Sequence, residues 1–153
     1  MPHTKEELIK MINLDEPDYA AIVSKLTAED IPLLVELSKD PNMAIATKAV
    51  SCLGLMNSEK AVEGLRSASS NANPVMRVAA AHALRNAAAQ PAAVQMIDKL
   101  LDDEDVGVRK FALKTVQHAN LRSLKAKVEQ LSKKESTEFM KSLSTEVFQK
   151  INK

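Results

Sequence analysis

Asn73-Pro74-Val75-Met76-Arg77-Val78-Ala79-Ala80-Ala81-His82-Ala83-Leu84 holds a helix start, an apolar stripe and a run of small side chains within one short stretch. Asn73 has a side chain that caps a helix, and Pro74 follows it at the position where the missing N–H costs nothing. Pro17 after Asp15-Glu16 and Pro41 after Asp40 repeat that arrangement. Behind the start, Ala79 to Ala81 and Ala83 combine the highest helix propensity with minimal bulk. Another helix can therefore approach this one closely. If Ala80 and Leu84 point inward, then Val78, His82 and Arg85 point outward at steps of four and three.

The stretch recurs. Ile45 to Leu53 matches Met76 to Leu84 at an offset of 31 residues, with small and apolar positions in register, and Val108 to Val116 continues the series at an offset of 32. Arg109 then falls beneath Arg77 and Ala112 beneath Ala80, while Met140 to Phe148 matches more weakly. Ahead of each copy stands a polar turn: Asp40-Pro41-Asn42, Asn71 to Pro74, Asp103-Glu104-Asp105, and Ser136-Thr137. Ahead of each turn lies another short apolar segment of helical period: Leu33 to Leu37, Ala61 to Leu65, Val94 to Leu101, and Leu121 to Leu131. No segment sustains the alternation of a half-buried strand, so the chain reads as all-α, about ten short helices in helix–turn–helix units. Such a unit cannot bury its apolar face alone and must stack on a neighbour. In the stack, Leu53, Leu84 and Val116 fill the layer between the alanines.

Composition narrows the function classes. The 153 residues suit one domain, 1–153, with 45% apolar and 27% charged residues, ordinary values for a folded globular chain. The net charge of +1 excludes a uniformly basic coat for nucleic acid. A single cysteine, Cys52, excludes an internal disulfide and a zinc site of paired cysteines, and favours a reducing, cytoplasmic location. The amino-terminal residues lack the basic and apolar runs of a secretory signal, and no window approaches the roughly 18 apolar residues of a membrane span.

The run from Asn73 to Leu84, together with Asp105-Val106-Gly107-Val108-Arg109, resembles the second helix of HEAT repeats over residues 28 to about 118. The period of about 31 is shorter than the roughly 40 to 47 of long HEAT units and looks more like the compact repeats of phycobilin lyases and small prokaryotic proteins. Ala46 stands where the first unit would carry the family's arginine, and Lys141 where the fourth would, so an arginine ladder is incomplete. The resemblance implies a right-handed α-α superhelix, or solenoid. It would have a helical cap over 1–27, repeats over 28–57, 58–89 and 90–119, and a degenerate repeat or cap over 120–153. It also implies that second helices line the concave surface.

On that surface Val78, His82, Arg85, Lys110, Lys114 and Gln117 are the candidate binding residues, flanked by Thr47, Ser51 and Gly54 before them and Ser142, Glu146 and Gln149 after. Arg77 and Arg109, in the first turn of their helices, are structural candidates within reach of acids such as Asp98, Asp103 or Asp105. His3, His82 and His118 lack metal-ligand spacing, and His82-Ala83 and His118-Ala119 lack the glutamate of HEAT-type iron hydroxylases. Cys52 falls in the inward layer with Ala83 and Thr115, a place for an inert thiol. With no phosphate loop or serine elbow either, the expectation is a chain with no metal, no cofactor and no catalysis of its own.

Charge is uneven along the chain, with four basic and nine acidic residues over 1–40 against eleven and four over 109–153. Arg122, Lys125, Lys127, Lys133 and Lys134 form an alternative basic patch for nucleic-acid phosphate. There is no tryptophan, and Tyr19, Phe111, Phe139 and Phe148 mostly fit core positions, which leaves no platform for stacking bases. The expected function is a protein-binding scaffold holding an acidic helix or peptide in the groove. Nucleic-acid binding, a lyase-like or adaptor subunit, and weak self-association of acidic end on basic end are the alternatives.

Overall fold

The computed structural model describes residues 2–151, all of whose regular structure is helical. Helices α1 (Lys5–Ile12) and α2 (Tyr19–Val23) precede four antiparallel pairs. The pairs are α3 (Ile31–Leu37) with α4 (Met43–Met56); α5 (Glu59–Glu63) and α6 (Arg66–Ser69) with α7 (Pro74–Ala83); α8 (Pro91–Leu100) with α9 (Val106–Ala119); and α10 (Lys125–Lys134) with α11 (Glu138–Ile151). The second helices form the spine of the stack, α4 on α7 on α9 on α11, and α1 and α2 cover the free side of α4.

Local chemistry sets each start. Asn42, Asn73 and Asp105 accept from backbone N–H groups in the first turns of α4, α7 and α9, and Thr137 does so for α11. Two residues before each of the first three caps, a second side chain tightens the turn. Asp40, Asn71 and Asp103 accept from the N–H of Asn42, Asn73 and Asp105 at 2.8, 2.8 and 2.9 Å. Helices α4 and α9 stop at left-handed asparagines, Asn57 (φ 48°) and Asn120 (φ 53°), residues that tolerate this conformation better than most. Thr4 and Glu7 close a capping box on α1.

The core repeats with the sequence period. Ile45, Met76, Val108 and Met140 are buried in turn, as are Ala49, Ala80, Ala112 and Ser144, and then Cys52, Ala83, Thr115 and Val147. Two hydroxyls in these layers are satisfied internally, Thr115 donating to the Ala81 carbonyl at 2.7 Å and Ser144 to that of Met140 at 2.7 Å. Among the described residues, no buried side-chain polar atom lacks a partner.

Gly54 corrects an expectation. It is buried rather than exposed on the outer stripe, and a Cβ there would stand 2.5 Å from the Ala83 carbonyl oxygen and 2.9 Å from its Cβ. The reason is that α4 and α7 approach so closely that only a hydrogen fits between them.

Arginines tie the later units together. Arg77 donates from Nε and Nη2 to the Asp103 carboxylate at 2.8 and 3.0 Å, and from Nη1 to the carbonyls of Asn71 and Ala72 at 2.8 and 3.1 Å. Arg109 repeats the arrangement one unit on, with Glu135 at 2.8 and 3.0 Å and the carbonyls of Asp103 and Glu104 at 2.9 and 3.1 Å. Each guanidinium thus holds its own turn and the next. Asp98 and Asp105, also named as partners, do other work: Asp105 caps α9, and Asp98 pairs with Lys127. The partner of Arg109 is instead Glu135, whose side chain is 5% exposed.

Candidate functional site

Because small and apolar columns are used up between the second helices, their remaining sides form one continuous face. Along it the columns run Thr47, Val78, Lys110, Ser142 and then Ser51, His82, Lys114, Glu146. The flanks are electrostatically quiet. Thr47 and Ser51 donate to carbonyls of their own helix, and Glu146 pairs with Lys150 at 2.8 Å. The positive charge is concentrated at the centre, with Lys110 and Lys114 on α9 and Arg85 in the turn after α7.

A cavity of about 330 Å³ opens there, lined by His82, Arg85, Phe111, Lys114, Thr115 and His118. The His82 and Phe111 rings meet edge to face, 5.9 Å between centroids and 87° apart. Lys110 and Lys114 each place an ammonium over the Phe111 ring, at 5.7 and 5.8 Å from its centre, and Lys110 also lies 5.4 Å from that of Phe139. Arg85 Nη1 donates to the His82 carbonyl at 2.8 Å, which holds the guanidinium against the end of α7. A smaller cavity of about 70 Å³, lined by Tyr19, Ser51, Leu55, His82, Ala83, Arg85 and Asn86, continues the groove towards α2. His82 and Arg85 belong to both.

Electrostatics follow from this crowding. Partial burial at the cavity wall lowers the pKa of His82, and the neighbouring Arg85 guanidinium lowers it further. An anion entering the cavity would reverse that pressure. Cys52 lies behind the face, fully buried, and burial pushes its thiol up to about 12. It is not a thiolate near neutral pH.

Of the candidate residues, His82, Arg85 and Lys114 meet at the main cavity, and Lys110 joins them through the Phe111 ring. Val78 and Gln117 lie outside its lining, Val78 towards the Gly107 end of α9 and Gln117 near the cap at Asn120. Phe111, His118 and Tyr19 are groove residues that sequence reasoning did not select. Phe111 had a detectable signal, since it stands one unit after Ala79, a bulky ring where the previous copy has a methyl.

One further expectation is corrected. The phenylalanines are not core residues: Phe139 is 59% exposed, and Phe111 and Phe148 are half-buried against the core rim. Small residues fill the layers between the second helices so tightly that rings are displaced to the outer face. Within the alternative basic patch, Lys127 is engaged, bridging Asp98 on α8 and Asp102 in the turn after it. Lys133 pairs with Glu129 at 3.5 Å, and the Lys125 ammonium lies over Phe148 at 5.5 Å.

Among the described residues, no helix is long and apolar enough to cross a membrane. No curated protein matches the chain. Among solved structures it is similar to a chain in the complex of CpcE and CpcF of phycocyanin lyase from Nostoc sp. PCC7120, with a TM-score of 0.65 and 16% identity. The match covers 99% of this chain and 66% of the other, so this chain spans just under two thirds of its structural relative. At that identity the likeness concerns the fold. A family model for HEAT repeats matches residues 31–117, more than half the sequence, from the start of α3 into the last turn of α9. With the helix pairs stacked at the same period, the chain belongs to the HEAT-repeat family.

Proposed function

We propose that the chain is a non-catalytic scaffold that holds an acidic segment of a partner protein along the second-helix face, the concave side of a HEAT-type solenoid. The observation that carries this reading is the clustering of Arg85, Lys110 and Lys114 around one groove without a carboxylate among them. Arg66, Arg77, Arg109 and Lys127 each have a carboxylate within 4 Å, whereas among the described residues Arg85, Lys110 and Lys114 have none. Unpaired positive charge gathered around a groove is what an acidic partner complements. Binding of a fluorescent, glutamate-rich amphipathic helix measured by anisotropy tests it. Replacing Arg85, Lys110 and Lys114 together by glutamate abolishes binding and leaves the far-ultraviolet circular dichroism unchanged; retained binding overturns the assignment.

A second reading, an adaptor subunit within an enzyme system, is favoured by the likeness to a chain whose structure was solved as a complex of two lyase proteins. On that reading the partner is another folded subunit, and the same triple variant fails to form a stoichiometric complex in size-exclusion chromatography. Nucleic-acid binding through the carboxy-terminal half is the weaker alternative, because acids neutralise part of its patch.

A further inference from the structure

The cavity between α7 and α9 is more specific than an acidic groove requires. Its charged and titratable lining comes from two walls, His82 and Arg85 from α7 and the turn after it, Lys114 and His118 from α9, and includes no carboxylate. One arginine fork satisfies a planar carboxylate, which presents two oxygens in one plane. Donors from opposite walls instead match a tetrahedral group with three terminal oxygens and up to two negative charges. Arg85 is already oriented by its bond to the His82 carbonyl, with the rest of its N–H groups unspent, and Lys114 has no anionic partner among the described residues. Thr115 is engaged with Ala81 and closes the floor. About 330 Å³ exceeds the needs of an isolated oxyanion, and the Phe111 ring supplies an apolar wall for an organic stem. The groove continues on both sides, towards Tyr19 through the smaller cavity and towards the exposed Phe139 across Lys110. A chain can therefore run through the site.

We infer that this cavity receives a phosphoryl group carried on a side chain of the partner segment, with Arg85 and His82 on one wall and Lys114 and His118 on the other taking its oxygens while Phe111 packs on the stem. This rests on the second-helix face being the binding surface, and it names the anchoring chemistry of that surface. The same chemistry exists in free phosphate esters, but a groove open at both ends of the pocket fits a continuous peptide.

Calorimetry with four probes tests it: a phosphotyrosine peptide, the same peptide with glutamate at that position, phenyl phosphate and benzoate. The phosphopeptide binds about tenfold more tightly than its glutamate counterpart, and phenyl phosphate binds more weakly than the phosphopeptide but competes with it and outbinds benzoate. Arg85→Gln and Lys114→Gln each weaken the phosphopeptide about tenfold, while Arg66→Gln, on the far side of the stack, leaves it unchanged. Lys114 is exposed, so its variant tests the site even where Arg85→Gln perturbs folding. Equal affinity for the phospho and glutamate peptides overturns the phosphoryl assignment and leaves the acidic-groove reading standing. No binding of either peptide overturns both. Phenyl phosphate binding as tightly as the phosphopeptide overturns the partner-segment source in favour of a free ester.

Discussion

The first junction of the stack, α4 on α7, and the two after it, α7 on α9 and α9 on α11, solve the same problem differently. In the later junctions a guanidinium pins its own turn through two carbonyls and the following unit through a carboxylate. In the first, Ala46 stands where Arg77 and Arg109 stand, and Asn71 where Asp103 and Glu135 stand. Both members of the rung are absent together, so no unpaired charge is left behind. What replaces it is proximity, with Gly54 lying against Ala83 and Cys52 and Leu53 fully buried. Adhesion between units is thus separable into a charged and an apolar form, and the apolar form sits where α1 and α2 already shield α4 from solvent.

Removing Arg109 is the most damaging way to test the charged form. Arg109→Ala strands Glu135, whose side chain is 5% exposed, and frees two carbonyls; a loss of about 3 kcal/mol is expected in urea denaturation. Adding Glu135→Gln to that variant restores a good part of the loss, because the buried unpaired charge is then gone. Equal stability of the single and double variants would show that the lost contacts, not the stranded charge, dominate.

The apolar form is tested at Gly54. Glycine-to-alanine within a helix ordinarily stabilises by about 1 kcal/mol, but Gly54→Ala should destabilise by about 2 kcal/mol, since the methyl meets the α7 backbone. Cys52 reports on the same junction: its modification by a thiol reagent is slow in the wild type and faster in Gly54→Ala, as α4 and α7 part.

Acid separates the two forms. Burial alone would raise the pKa of Asp103, but hydrogen bonds from Arg77 and the Asp105 N–H, with the charges of Arg77 and Arg109, hold it below the usual carboxylate range. The folded state therefore binds fewer protons there than the unfolded chain. The stability this contributes is complete above the unfolded carboxylate pKa of about 4 and is lost as pH falls below it. Asp30, buried and bonded to Thr27 and His3, adds in the same direction. Asp103→Asn flattens the acid limb of the stability curve, an effect absent from Asn71→Asp. The smallest effect comes from building the missing rung: Ala46→Arg with Asn71→Asp should show a favourable coupling of about 1 kcal/mol in a double-mutant cycle.

Much of this molecule is legible in its amino-acid sequence alone. Asn73 followed by Pro74 marked the start of α7, whereas at Pro17 and Pro41 the cap is the residue after the proline, Asp18 and Asn42; the offset of 31 and 32 residues placed Ile45, Met76 and Val108 in one layer, and alanines at fixed spacing announced close-packed helices. These are local properties, set by backbone hydrogen bonding and by the 3.6-residue turn, and they need no knowledge of distant residues. The groove was half readable. His82, Arg85, Lys110 and Lys114 follow from helical phase, but Phe111 does not, because phase separates inside from outside only when each side has room. Between α7 and α9 the layer is already filled by Ala80, Ala112 and Thr115, and the Phe111 ring lies half-buried at its rim.

Partner choice lay beyond the linear chain for the same reason. Arg109 had three plausible acids nearby in sequence and took Glu135, 26 residues on, because the next unit carries that carboxylate to its guanidinium. Lys127 looked free within a basic run and is held by Asp98 and Asp102 from the preceding unit. A repeat dictates its own shape through short-range bonds. Which charges remain unpaired, and therefore where an anion can bind, is decided by which unit stacks against which.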